Sequence, residues 1–164
     1  MAKNKEEKTN VMRILEQKKI ACTAHTYPHE EGVAVDGVTA AQSMGFDPAI
    51  VFKTLVARGA SGQYYVFDVP VAENLDLKKA AKAVGEKSVE MIRQKELLPL
   101  TGYVHGGCSP VGMKKLFPTV IHSSAEDLAA MIVSAGRIGC QVELAPHDLA
   151  ALVRARFAAI TTDE

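Results

Sequence analysis

Several things are missing from this 164-residue sequence, and each absence closes off a class of function. Nineteen basic and nineteen acidic residues leave no net charge, so autonomous tight binding to nucleic acid, which draws its strength from neutralised phosphates, is not expected. The three cysteines, Cys22, Cys108 and Cys140, are an odd number without CxxC spacing, so neither a disulfide framework nor a cysteine zinc site is indicated. No apolar run approaches the roughly 20 residues needed to cross a bilayer, Leu128 to Val133 being among the longest. The opening MAKNKEEKTN is charged where a secretory signal is apolar, which with the cysteine usage leads to an expectation of the reducing cytoplasm. Internal repeats, low-complexity linkers, a P-loop and a dinucleotide fingerprint are absent too.

What is present is 48% hydrophobic and 23% charged, the balance of one globular domain over residues 1–164. A chain of this length can bury about 70% of its unfolded surface, so it needs neither metal nor disulfide to build a core. Thr9 predicts a capped helix to about Lys19 with Val11, Met12, Ile14 and Leu15 inward, preceded by a frayed segment over residues 3 to 8. Ala21 to Tyr27 alternates as a strand ended by Pro28, and His29 to Gly37 reads as a surface loop placed to overhang a site. Val38 to Met44 follows as a helix stopped by Gly45. Val51 to Val56 and Tyr64 to Val69 form an antiparallel hairpin around Gly59 to Gly62. Asp76 caps a helix over Leu77 to Val84, whose Lys78, Lys79 and Lys82 make a basic patch or simply a solvated face. A short helix around Arg93 to Leu98 and a strand at Thr119 to His122 come next, then a turn near Ala125 to Ala129. The remainder is a second hairpin, Met131 to Ser134 with Cys140 to Leu144 turning over Ala135 to Gly139, and a last helix from Pro146 to about Arg156.

The chemistry concentrates at Lys53, a cation inside a run that otherwise reads as a buried strand. Burying an unpaired ammonium costs several kcal/mol, so the side chain is paired, snorkels to an edge, or faces a polar pocket. Strand alternation puts Lys53 with Val51 and Leu55, and Thr54 on the other face with Phe52 and Val56. Two glycine loops, Gly106-Gly107-Cys108-Ser109-Pro110 and Ser134-Ala135-Gly136, either turn the chain or let backbone amides approach a developing negative charge. His25 and His29 have the four-residue spacing of a helical zinc pair, but Pro28 makes the segment extended and separates them by roughly 13 Å. Cys108 reads as a small loop residue, not a nucleophile, and Asp148 as the acid that satisfies a helix start.

The order and spacing of HTY at 25–27, VFKTLV at 51–56, PVAENLDLKKAAKAVG at 70–85, TGYVHGGCSPVGMKK at 101–115 and the loop at 134–139 resemble the YbaK/EbsC family across nearly the whole chain. These are bacterial Cys-tRNA(Pro) deacylases related to the editing domain of prolyl-tRNA synthetase. The resemblance implies an α/β (α+β) single compact domain with a mixed, strongly curved, barrel-like sheet and flanking helices. It implies removal of cysteine mischarged on tRNA(Pro) by attack of the substrate's own thiol, with no cofactor and no metal. Lys53 matches the family's essential lysine and is the implied catalytic residue; Tyr27, Thr54, Gly106, Gly107, Ser109, Pro110, Ser134 and Gly136 match its substrate-binding positions. The implied partners are the aminoacyl-tRNA acceptor end and, as a helper, prolyl-tRNA synthetase. The sequence departs at Ala135, at Arg137-Ile138 where others carry a lysine-arginine pair, at Gln141 where an acid is found, and at Val35-Asp36 where some members have an aromatic residue. These departures keep two other readings open: a deacylase for another small aminoacyl group such as alanine, and a non-catalytic binding or regulatory module of the same fold.

Overall fold

The structure, a computed structural model, describes residues 8–162. Helix α1 (Asn10–Gln17) starts where the Thr9 hydroxyl accepts the Met12 amide at 3.2 Å, and it buries Val11 and Leu15 completely. The frayed lead-in expected over residues 3 to 8 falls outside the described residues but for Lys8. Strand β1 (Cys22–Thr26) is followed by α2 (Gly37–Met44), capped by Asp36 and closed by Gly45 at φ 80°. A 3-10 turn (Pro48–Ile50) leads into β2 (Phe52–Gly59) and then β3 (Tyr64–Pro70). Next come α3 (Leu77–Val84), β4 (Val89–Met91), α4 (Gln94–Thr101) and β5 (Thr119–His122). A second 3-10 turn (Ser123–Asp127), β6 (Met131–Arg137), β7 (Cys140–Leu144), α5 (Pro146–Val153) and β8 (Arg156–Ala158) complete the described chain.

The strands form two sheets, three-stranded β1-β7-β6 and five-stranded β4-β2-β3-β5-β8, the larger mixing antiparallel and parallel pairs. The mixed α+β architecture agrees with expectation; the strongly curved, barrel-like sheet does not, since among the described residues neither sheet closes. Closure needs a continuous ladder between every pair of neighbours. Between the sheets the pairing is an isolated parallel bridge, Val51 with Ile132, entered directly from the 3-10 turn. Beyond it β6 shifts register between Ser134 and Arg137, and the ladder does not extend.

Alternation along β2 and β3 sorts the core. Phe52, Val56 and Val66 face the main cluster with Leu15, Ile121, Met131 and Val142, whereas Phe67, Val69 and Ala57 face the cluster under α3 with Ala80 and Ala81. Each large side chain so buried contributes about 1.5–3 kcal/mol. α3 presents this apolar stripe inward and leaves Lys78 and Lys82 exposed. Two expected boundaries move. The last helix stops at Val153 because Arg154 turns left-handed, φ 57°, and releases the chain to lie parallel to β5 as β8. The second hairpin carries β6 on to Arg137, so the turn is Ile138-Gly139, with Gly139 at φ 89°.

Candidate functional site

β2 pairs with β3 along its whole length, but β4 covers only Ala57 to Gly59 on its other edge. The amide of Val71 bonds Val51 O, and the amide of Gly59 bonds Gln63 O, each at 2.8 Å, so odd-numbered residues of β2 turn their backbone to β3. The backbone of Thr54 therefore points to the uncovered edge. There a cavity of about 340 Å³ opens between the sheets. Its floor is Phe52, Lys53, Thr54 and Leu55; its walls are Tyr27, Ser134 and Gln141; its roof is Ala34 to Gly37 with His105, Gly106 and Cys108. Because the cavity lies at a strand edge, Lys53 and Thr54 both line it although their side chains belong to opposite faces.

Lys53 is half-buried, and burial lowers the pKa of its ammonium, with the Asp36 carboxylate acting in the other direction. Asp36 caps α2, accepting from Thr39 N at 3.2 Å, so α2 fixes that charge at the cavity rim. Among the described residues no ion pair or hydrogen bond engages the Lys53 amine. Tyr27 is 6% exposed and its amide is anchored to Gly139 O at 3.0 Å. Gln141, opposite Ser134 in the β6–β7 ladder, has a buried Oε1 without a hydrogen-bond partner, an acceptor in the cavity wall. The Cys108 thiol is pushed up to about 12, by burial first and then by the charge of Asp68, which keeps it protonated and inert.

The expected residues divide. Lys53, Tyr27, Thr54, Gly106 and Ser134 meet in the cavity, whereas Gly107, Ser109, Pro110 and Gly136 do not line it. The amide of Gly107 is donated to Val104 O at 2.9 Å and that of Gly136 to Ser134 Oγ at 3.1 Å, so neither remains for an oxyanion. Their glycine identity has a packing cause. A Cβ on Gly106, at φ 89°, falls 2.7 Å from Ala34 Cβ, and one on Gly107 falls 3.0 Å from the Ile138 amide. The diglycine thus lets the overhanging loop and the β6–β7 turn close on each other. Ser109 is fully buried, its Oγ accepting the Val111 amide at 3.2 Å, and Pro110 is buried beside it. His25 bonds Glu143 at 2.8 Å and His29 lies 3.4 Å from Tyr27 O, each occupied separately.

Sequence reasoning named Asp36 and Gln141 only as departures from the family pattern, did not place Leu97 or His105 at the cavity, and passed over Asp68, which accepts the hydroxyl of the lining Thr54. Asp68 carried a readable signal: an acid inside the apolar run Tyr64 to Val69. Asp36 carried one also, as the N-cap type residue ahead of α2.

Residues 32–152 match the aminoacyl-tRNA editing domain family. The chain belongs to that family. Over its full length and the full length of the other, this editing-domain protein is 45% identical to an Enterococcus faecalis protein named as a candidate Cys-tRNA(Pro)/Cys-tRNA(Cys) deacylase, EbsC. A solved structure described as a candidate trans-editing enzyme for prolyl tRNA synthetase superposes with TM-score 0.78 at 26% identity, covering 93% of this chain and 94% of that one. The hypothetical protein APE2540 shares the fold, with TM-score 0.82 at 21% identity over 93% of this chain and 99% of its own. No helix among the described residues is long and apolar enough to cross a membrane.

Proposed function

We propose that this protein, as a single domain over residues 1–164, is a cytoplasmic trans-editing deacylase that removes cysteine mischarged on tRNA(Pro). The observation that carries the reading is the unpaired, half-buried Lys53 ammonium lining a cavity sized for an aminoacyl-adenosine terminus, in an editing-domain chain. The 45% identity to the EbsC deacylase over both full lengths supports the substrate class.

The chemistry needs position and charge, not a protein nucleophile. The cysteinyl thiol loses its proton and its sulfur attacks its own ester carbonyl; a C–S bond forms, the C–O bond to the ribose breaks, and the 3′ oxygen takes up a proton. Lys53 meets the negative charge that develops on the carbonyl oxygen, a contribution of about 3 kcal/mol for one preorganised donor. Cys108, held protonated, stays out of the reaction. A shape-only pocket separates cysteine from proline by about 1–3 kcal/mol, so a reaction that requires the substrate's thiol is the stronger filter.

Zero net charge and a cavity of about 340 Å³ favour contact with the acceptor end alone, which supports prolyl-tRNA synthetase as the source of contacts to the tRNA body. The test is a panel of tRNA(Pro) charged with cysteine, alanine, serine and proline. Cysteine alone should be released, and Lys53→Ala should lower kcat/KM by about 100-fold or more with the melting temperature retained. Release of alanine reassigns the substrate; release of nothing makes the protein a binding module.

A further inference from the structure

Asp68 is fully buried, yet the chemistry above leaves it idle. Its Oδ1 accepts the Thr54 hydroxyl at 2.5 Å and its Oδ2 has no hydrogen-bond partner. The β2–β3 register sets the two residues opposite each other, so both side chains rise from the same face, and Thr54 lines the cavity. An unsatisfied buried carboxylate oxygen is expensive, and Asp68 is joined to the cavity through the lining Thr54, where such an expense has a use.

A hydroxyl has one proton and two lone pairs. With Asp68 charged, the Thr54 proton is committed to Oδ1 and the cavity sees only an acceptor. With Asp68 neutral, the carboxyl can donate to Thr54, whose own proton turns to the cavity. We propose that Asp68 is a positioning residue which, acting through Thr54, presents the cavity with an acceptor for the S–H of a bound cysteinyl group. The inference rests on the deacylase reading for its substrate and goes beyond it by naming what recognises the thiol. An alanyl group has no such proton to offer, so the contact favours cysteine over alanine.

The carboxyl is raised to about 7, burial being the cause and the Thr54 hydrogen bond opposing it, so the two polarities exchange near neutral pH. Of the neighbouring groups, Cys108 feels the Asp68 charge from the loop and stays protonated, while the Thr101 hydroxyl at the end of α4 is donated to Leu97 O at 2.8 Å. Lys53 belongs to the opposite face of β2, and the β5 residue in register is Ile121.

Two measurements decide it. Carboxyl and methyl 13C shifts of the free protein should show Asp68 and Thr54 titrating with one midpoint near 7, and the Asp68 midpoint rising in Thr54→Val, where the hydrogen bond that lowers it is lost. In binding, the affinity for a non-reactive, 3′-amide-linked cysteinyl-adenosine over its alanyl counterpart should rise through pH 7, and Asp68→Asn should remove that inflection and about tenfold of the preference at pH 8. Thr54→Ser should keep the inflection and Thr54→Val should lose it, which serves equally if Asp68→Asn fails to fold. Asp68 titrating without a response at Thr54 overturns the proposal, as does an inflection and preference that survive Asp68→Asn. If the wild-type protein releases neither amino acid, the deacylase reading falls and the thiol contact with it, while a shared midpoint in the free protein still identifies the Asp68–Thr54 coupling.

Discussion

The stability of this protein should fall as pH rises from 4 to 7, and Asp68→Asn should abolish the fall. An ordinary aspartate titrates at 3.8, whereas Asp68 in the folded chain is raised to about 7 by burial. The native state therefore holds this proton more tightly than the unfolded state, and the stabilisation is complete below the unfolded value. It is lost progressively as pH rises through the folded one. Roughly three decades of proton affinity at about 1.4 kcal/mol each give a loss of about 4 kcal/mol, an upper bound because relaxation around a charged carboxylate recovers part of it. His122 works in the opposite sense: burial holds its pKa below 6.5, so protonating it as pH falls costs stability. Glu16, Glu86 and Glu96, lowered by hydrogen bonds, lose their contribution only as pH drops below about 4.5. All four are common to wild type and variant, so the difference between the two unfolding free energies isolates Asp68. The sequence has no tryptophan, so urea unfolding is best followed by far-ultraviolet circular dichroism at pH 4, 5, 6, 7 and 8. Asp68→Asn should gain on wild type steadily to pH 7 and then hold its advantage. A difference that does not change with pH would refute the assignment of a buried, proton-binding Asp68.

Two further perturbations test the roof of the cavity and its thiol. Gly106→Ala must place a side chain at φ 89° and push it into Ala34 Cβ at 2.7 Å; strain and overpacking together should cost about 2–4 kcal/mol in urea unfolding. A variant as stable as wild type would show that the overhanging loop does not rest on the diglycine. Alkylation of the native protein at pH 8 should modify exposed Cys22 and spare buried Cys108, whose thiol stays protonated, as read by peptide mass spectrometry. Equal labelling of both would reopen Cys108 as a nucleophile.

Much of the local structure was legible because single residues announce it. Thr9, Gly45, Asp76 and Gly85 mark helix ends, and the structure gives each its capping hydrogen bond or left-handed turn. The hairpin around Gly59 to Gly62 followed from alternation and turn chemistry alone. What failed was long-range. β8 was hidden because Arg154 carries no sign that it ends a helix in a left-handed conformation, and β4 is three residues long. The expected barrel failed because a local pattern does not say whether two strand edges, here β2 and β6, meet along a ladder or at one bridge.

The site follows the same division, with one instructive turn. Alternation puts the side chains of Lys53 and Thr54 on opposite faces of β2. A face is not the only surface a strand offers: where β4 stops short at Ala57, the edge of β2 is open and residues from both faces reach the same hollow. That opening also places a polar backbone unit, Thr54, where a strand partner is missing, and a missing partner is what a peptide-like aminoacyl group can replace. The glycines were read for their amides, but Gly107 and Gly136 have theirs engaged, and what they supply is closeness of approach. The same residue type serves both ends, and only the contacts of the folded chain distinguish them.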